Sequence, residues 1–317
     1  MVALILFMIA TVVALVLFDR YVEEHTNQQQ NSQSSYVDEP RAERAYSSCS
    51  LFTVLGFTRE EVRSFTAFRD HFRSYAEVTA AMRRAGLERV RLIVGIDFSA
   101  SNEWQGRRTF KGELLHALKG TAVFNPYQKV LHTLAPAFTP FLHGQPIHAY
   151  GFGDVRTKDY DVFPLRPSGS TCPDMNDVLD AYNHSARRVQ RSGPSSLAPL
   201  IRRATDLVQR TQCFHILLVL TDGQMRPEDA HSRHALVQAS RCALSIVTVG
   251  VGDGPFSALE EWDEGVTDRV FDNFHFVDYH KVARSARNAE AALSLHALME
   301  IPDQYQTIIR LGYLEKF

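Results

Sequence analysis

The chain has 317 residues, of which 45% are hydrophobic, so it has ample mass for one large hydrophobic core or two small ones. Its formal net charge is only −2. Nucleic-acid binding is driven by concentrated positive charge, and we therefore expect no nucleic-acid partner.

Residues 1–18 contain no charged side chain and a single polar one, Thr11. As a helix rising about 1.5 Å per residue, they would nearly cross a hydrocarbon layer about 30 Å thick. A cleaved signal peptide is the alternative, but it needs a basic N-terminal region, which is absent, and a small-x-small cleavage site, which does not follow. We therefore predict a transmembrane helix at residues 1–18 and a single-pass, membrane-anchored protein.

Residues 19–48 include a run of Asn, Gln and Ser at 27–35 that cannot bury apolar surface, which predicts a disordered polar linker. The globular domain is then expected over residues 49–317. The four cysteines are Cys49, Cys172, Cys213 and Cys242, and none forms a C-x-x-C pair. Scattered cysteines of this kind are typical of a reducing compartment, so we expect the globular domain to face the cytosol.

Apolar, β-branched runs alternate with segments of helical periodicity along the rest of the chain. The runs predict buried strands at residues 90–96, 147–152, 214–221, 244–250 and 274–277. The periodicity predicts helices at residues 75–85, 126–137, 177–189, 197–208, 228–239 and 283–299, the last ended by Ile301-Pro302. This alternation predicts an α/β fold, a doubly wound, mostly parallel sheet with helices on both faces, preceded by the N-terminal apolar helix.

Oxygen-bearing side chains follow two of the predicted strands. Asp97, Ser99 and Ser101 come after the first strand, and Asp222 comes after the strand at 214–221. Ligands in open α/β sheets bind at the carboxyl ends of the strands, so these side chains are expected to meet there. A hydroxyl at Ser195 or Ser196, after the turn at residues 192–194, would complete a ring of hard oxygen ligands. Such a ring selects Mg²⁺, the first expectation, or Mn²⁺ or Ca²⁺.

The order D-x-S-x-S, hydroxyl loop, T-D-G resembles the metal-ion-dependent adhesion site of von Willebrand factor A domains. The segments at 95–104, 125–128, 151–154, 192–194, 249–253 and 271–274 resemble the copine-type A domain more closely. Residues 297–305 are similar to the branch found in plant RING-type ubiquitin ligases. The resemblance extends over roughly residues 60 to 314.

The resemblance implies roles for the site residues. In the related domains serine hydroxyls bind the metal directly, aspartates act largely through waters, and an acidic side chain of a protein partner fills the open position. Ser99, Ser101 and Ser195 would then be direct ligands, with Asp97 and Asp222 anchoring waters. Asn102 and Ser196 are candidates for positions around the site. Asp154 and Asp253 also end strands and are candidates for its rim, although we favour the alternative that they are turn residues that cap helices. Ser195 stands where the family usually has Thr, which removes the stiffness of a β-branched ligand.

Three functions follow from these expectations. The first is a membrane-tethered, divalent-cation-dependent protein-binding module. The second is a part in ubiquitination with ubiquitin-pathway partners, limited to substrate recruitment because four cysteines do not supply the paired ligands of a RING. The third is calcium-responsive phospholipid binding of the copine kind. The two lipid-docking modules of copines are missing from the sequence, which counts against this function.

Several other interpretations stay open beside these three. One is that the metal site has decayed and that the same residues merely cap turns. Metal-assisted hydrolysis would need a base, and Glu103 is the one candidate in the loop signatures. The glycines at 250–254 lack the third glycine of a dinucleotide loop. We therefore predict no intrinsic catalysis.

Overall fold

Seven strands form one sheet in the described part of the chain. This computed structural model describes residues 87–120, 123–169, 171–226, 228–266 and 268–314, together with Arg83. The strands are β1 Arg91–Asp97, β2 Ile147–Phe152, β3 Phe163–Pro164, β4 Thr171–Cys172, β5 His215–Thr221, β6 Leu244–Gly250 and β7 Phe274–Asp278. Their order in the sheet is β3-β2-β1-β5-β6-β7, with β4 paired to β2.

The five long strands pair in parallel, and only the two-residue strands β3 and β4 are antiparallel to β2. All seven residues of β5 and of β6 are buried, as expected for strands covered on both faces. The mostly parallel α/β sheet predicted from the sequence is therefore confirmed.

Eight α-helices connect and flank these strands within the described residues. They are α1 Pro126–Leu142, α2 Met175–Arg188, α3 Ala198–Thr211, α4 Ala230–Ala239, α5 Ser257–Gly265, α6 Tyr279–Ser285, α7 Ala289–Leu298 and α8 Ile301–Arg310. Helix α1 packs with α2 and α7, whereas α3 packs with α4. The first helix also begins as its sequence requires, because Asn125 and Gln128 form a reciprocal capping box.

The chain order of the strands places a switch point beside β1. From β1 the chain passes through α1 to β2 on one side, and it later returns to β5 on the other side of β1. Right-handed crossovers then put the connections after β1 and after β5 on opposite faces of the sheet. The crevice at the carboxyl ends of β1 and β5 is therefore where a ligand is expected.

Some predicted boundaries were wrong. One helix was predicted over 283–299 and was expected to end at Ile301-Pro302; instead α6 ends at Ser285, α7 starts at Ala289, and Ile301-Pro302 opens α8. Proline suits the first turn of a helix because its missing N–H has no partner there. Helix α5 had not been predicted.

The predicted membrane-anchored localisation is contradicted by the helices of the described residues. None of them combines the length and apolar character that crossing a bilayer requires. The predicted anchor at residues 1–18, the linker at 19–48 and nearly all of the helix at 75–85 lie outside the described residues.

Candidate metal site

Three loops meet beside the carboxyl end of β1. Backbone N–H of Ser99 donates to Oδ1 of Asp97 at 2.8 Å, which turns the chain sharply as it leaves the strand. Ala100 N–H donates to the carbonyl of Ser192, so the 192–195 loop lies alongside this turn. A Cβ atom added to Gly153, after β2, would lie 3.2 Å from Oδ1 of Asp97 and 3.2 Å from Cβ of Ser195. The sequence-predicted Asp97, Ser99 and Ser195 are thus brought together.

The hydroxyls of Ser99 and Ser101 lie 2.9 Å apart on the short 3₁₀ turn at Ala100–Glu103. The Asn102 amide fixes one of them, since its Nδ2 donates to the carbonyl of Ser99 at 3.1 Å and to the Ser99 hydroxyl at 3.2 Å. Tyr127 in turn donates its hydroxyl to Oδ1 of Asn102 at 2.6 Å. Asn102 therefore orients a hydroxyl of the site through its amide.

The two carboxylates of the site, Asp97 and Asp222, are both fully buried. Burial raises the pKa of Asp97, and the Thr221 hydroxyl, 2.6 Å from its Oδ2, partly offsets this. Oδ1 of Asp222 accepts from Gln224 N–H at 3.1 Å, but its Oδ2 is buried without a hydrogen-bond partner among the described residues. Burial, followed by the nearby charge of Asp97, raises the pKa of Asp222 to about 8, and hydrogen bonding by the Ser101 side chain and the Gln224 backbone partly offsets this. Two adjacent buried carboxylates, one with an unsatisfied oxygen, fit a cation.

A buried histidine that the sequence analysis did not single out contacts the backbone of the site at Asp97. His116 Nε2 lies 2.9 Å from the carbonyl of Asp97, and Nδ1 lies 2.9 Å from the Tyr182 hydroxyl. Its ring stacks between Phe98 and Tyr127. Burial lowers the pKa of His116 to about 3, so the ring is neutral. Because a carbonyl only accepts, Nε2 carries the proton.

No local sequence pattern distinguishes His116 from the other twelve histidines of the chain. Tyr127 lies in the copine-like segment at 125–128, and its position in that segment was the available signal for a supporting role.

Three residues expected around the site have other partners. Asp154 accepts from the backbone N–H and the hydroxyl of Thr157 and so closes its own turn. Ser196 donates to Oδ2 of Asp229 at 2.7 Å. Asp253 accepts from the backbone N–H groups of Arg108 and Thr109.

The arrangement depends on hydroxyls as well as acids. In the described part of the chain no three His, Cys, Asp or Glu side chains come together as metal ligands. Two carboxylates with serine hydroxyls form a hard, oxygen-only donor set, which suits Mg²⁺, Mn²⁺ or Ca²⁺ and disfavours softer metals.

A parallel α/β sheet with D-x-S-x-S, a hydroxyl loop and T-D-G meeting at its switch point defines a von Willebrand factor A-type domain. The sequence model of the family described as Copine matches residues 114–316. The chain belongs to the copine family.

Two kinds of relative share this similarity. Copine family protein 1 of Caenorhabditis elegans is 41% identical over 272 residues, which are 84% of this chain and 24% of that protein. E3 ubiquitin-protein ligase RGLG5 of Arabidopsis thaliana is 37% identical over 297 residues, covering 89% of this chain and 68% of the ligase. The chain thus spans about a quarter of the copine relative and about two thirds of the ligase.

Solved structures resemble the chain more distantly. A von Willebrand factor type A protein from Catenulispora acidiphila aligns over 71% of this chain and 43% of its own, with 14% identity and a TM-score of 0.39. Manganese-loaded TRAP protein of Plasmodium vivax aligns over 62% of this chain and 72% of its own, with 13% identity and a TM-score of 0.40. Neither likeness is close enough to carry an argument about metal binding by this chain.

Proposed function

We propose that this chain is a divalent-cation-dependent protein-binding module. The observation that carries the proposal is the buried Oδ2 of Asp222, which has no hydrogen-bond partner among the described residues and lies beside the buried carboxylate of Asp97. An uncompensated buried carboxylate costs folding free energy, and a bound cation would offset that cost.

The site residues would have two roles in binding the cation. Ser99, Ser101 and Ser195 would provide the direct hydroxyl ligands, as the resemblance implies, and Asp97 and Asp222 the negative charge. A bound cation would supply an open coordination position to which the acidic side chain of a protein partner binds. We propose Mg²⁺ as the ion, with Mn²⁺ and Ca²⁺ as alternatives of the same hard-oxygen chemistry.

The surface around the site supports a protein partner. Trp104, which directly follows the Ser101 turn, is 47% exposed, and Val155, after the Gly153 loop, is 40% exposed. Arg191 connects these two stretches, because it pairs with Glu103 at 3.4 Å and bridges to the backbone of Asp154. Exposed aromatic residues near a buried polar centre are typical of protein-binding surfaces.

Calorimetric titration of Mg²⁺ and Mn²⁺ into the purified chain tests the cation. We expect binding by the wild type, at least a tenfold loss for Asp222→Asn, and no change for Asp159→Asn, which removes an exposed carboxylate from a neighbouring loop. Equal heats for the wild type and Asp222→Asn would overturn the proposal.

Binding to an array of acidic peptides tests the partner half of the proposal. Binding should require Mg²⁺ and disappear in EDTA, and Trp104→Ala should weaken it while leaving the metal titration unchanged. Peptide binding that is the same with and without the ion would exclude the cation-dependent mechanism even if the metal binds.

A second candidate function is substrate recruitment in ubiquitination, which the similarity of 37% to the Arabidopsis ligase favours. The purified chain, incubated with ubiquitin-activating and conjugating enzymes, should form no ubiquitin chains by itself if its part is recruitment. Autoubiquitination under these conditions would instead assign a ligase activity to this chain.

A further inference from the structure

A cavity of about 430 Å³ lies at the carboxyl ends of β6 and β7, apart from the ring of candidate metal ligands. We refer to it as the β6–β7 cavity. Its cationic lining comes from Arg108, Lys281 and Arg284, and Phe256 and His280 also line it. A volume of this size falls in the range of about 300–1,000 Å³ that is usual for sites of small organic ligands.

Two of the three cations that line the β6–β7 cavity are free to meet a ligand. Lys281 and Arg284 are exposed, and neither forms an ion pair within the described part of the chain. The third cation, Arg108, pairs with Asp253 across 3.8 Å, and its Nη2 donates to the backbone carbonyl of Asp253 at 2.8 Å. Its side chain is nevertheless 76% exposed, so the guanidinium is held at the cavity with much of its surface accessible. Three cationic groups therefore surround one space.

Two carboxylates also line the cavity, but the backbone already engages both. Asp253 accepts from Arg108 N–H at 2.9 Å and from Thr109 N–H at 2.8 Å. Asp278 caps α6 by accepting from Lys281 N–H at 3.0 Å. Carboxylates held in this way have much of their acceptor capacity satisfied, and three cations outnumber them.

The remaining wall offers a neutral histidine ring and one apolar face. His280 Nε2 is buried without a hydrogen-bond partner among the described residues. Burial lowers the pKa of His280, so the ring is neutral. Phe256 is buried and packs with Phe276, with ring centroids 5.4 Å apart. This wall would contact an organic group attached to the anion.

We propose that the β6–β7 cavity binds a phosphate monoester of a small organic molecule. Arginine donates two parallel hydrogen bonds to phosphate oxygens, and lysine adds a compact positive charge. The cavity exceeds the size of a bare phosphate ion, and Phe256 provides the surface for the organic part. The proposal does not rest on the cation site.

Calorimetry with ribose 5-phosphate, unphosphorylated ribose and inorganic phosphate tests this site, with EDTA present so that the cation site is not involved. We expect ribose 5-phosphate to bind more tightly than inorganic phosphate, and ribose not to bind. The double variant Lys281→Gln/Arg284→Gln should lose at least tenfold in affinity, because two charged contacts are removed. Arg187→Gln/Arg188→Gln, the same charge change at exposed positions of α2, should titrate like the wild type.

Two outcomes would overturn the proposal: no binding of either phosphate by the folded wild type, or equal affinity in the two double variants. If ribose 5-phosphate bound no more tightly than inorganic phosphate, the proposed recognition of the organic group would be wrong. Asp222→Asn should bind ribose 5-phosphate normally, so a failure of the proposed cation site leaves this result unaffected.

Discussion

The hydroxyl of Thr221, the last residue of β5, donates a 2.6 Å hydrogen bond to Oδ2 of Asp97, the last residue of β1. The same oxygen of Thr221 accepts from Gly223 N–H at 3.0 Å. One hydroxyl therefore ties together the ends of two neighbouring strands and supports the loop that carries Asp222. Thr221 belongs to the T-D-G motif, yet its role is to hold a carboxylate of the adjacent strand.

Replacing Thr221 with Val, which keeps the shape and removes the hydroxyl, should lower the free energy of unfolding by about 1.5–3 kcal/mol. The reason is that Oδ2 of the buried Asp97 loses its donor. Denaturant titration in EDTA measures the change. Thr205→Val is the control, because the Thr205 hydroxyl only bonds back to Ile201 within α3. Equal losses in the two variants would show that the Asp97 contact adds nothing.

Asp222→Asn should have opposite effects on stability and on the response to metal. In EDTA we expect the free energy of unfolding of Asp222→Asn to be about 1–3 kcal/mol higher than that of the wild type. Asparagine is neutral, whereas Asp222, with its pKa raised to about 8, must take up a proton or bury a charge when the chain folds near neutral pH. At Mg²⁺ of about 100 times its Kd, the wild type should gain about 2.7 kcal/mol and the variant almost nothing. Thermal or denaturant unfolding with and without Mg²⁺ measures both. A variant that still gains stability from Mg²⁺ contradicts the site.

Ser195 is the proposed ligand from the third loop. Two substitutions distinguish the contribution of its hydroxyl oxygen to metal affinity from the effect of its rotamer freedom. Ser195→Ala should weaken Mg²⁺ binding at least tenfold. Ser195→Thr keeps the oxygen and restricts its rotamers, so it should bind about two- to threefold more tightly than the wild type. Calorimetry of the three proteins gives the order. Ala and Thr variants that bind equally well would remove Ser195 from the ligand set.

Asn102 should influence metal affinity without touching the ion. Asn102→Ala frees the Ser99 hydroxyl, and loss of such a supporting contact commonly costs about 10–100-fold in affinity. Tyr127→Phe removes only the hydroxyl that holds the Asn102 amide and should cost less, with the same sign. A purely structural effect would lower stability in EDTA without changing the Mg²⁺ Kd, so both quantities are measured for each variant.

Stability should fall as the pH rises from about 4 to about 7. Burial, with the charge of Glu300 adding to it and His275 opposing it, raises the pKa of Asp263 from 3.8 to about 7. The folded state therefore keeps a proton that the unfolded state releases near pH 4, and this contribution is lost as the pH passes through the folded pKa. The slope from this group is at most about 1.4 kcal/mol per pH unit.

Asp263→Asn should make that pH dependence shallower, whereas Asp268→Asn, at a nearby exposed position, should leave it unchanged. Urea unfolding at a series of pH values compares the three proteins. A slope as steep in Asp263→Asn as in the wild type would assign the pH dependence to other groups. These are Asp222, whose pKa burial and Asp97 raise to about 8, and Asp303, whose pKa burial and Glu300 raise to about 6.

The long strands could be predicted because each is a continuous apolar run with its own local signal. The predicted strand at 244–250 and the observed β6, Leu244–Gly250, coincide, as do 147–152 and β2. Helix boundaries were less predictable. Helix α1 continues through Pro136 and Pro140 to Leu142, since burial of Phe138 and Phe141 compensates for the hydrogen bonds that the prolines cannot make.

The sequence alone determined the parallel α/β architecture and the candidate ligand types, since apolar runs and polar strand ends are local patterns. Only the tertiary structure decided that Asp222 Oδ2 is buried without a partner among the described residues, that Ser196 donates to Asp229, and that the His116 ring lies against the carbonyl of Asp97. These facts depend on which side chains meet across strands far apart in the chain. Whether a polar atom is buried and whether it is hydrogen-bonded depend on packing between distant segments, so no single segment of the sequence encodes them.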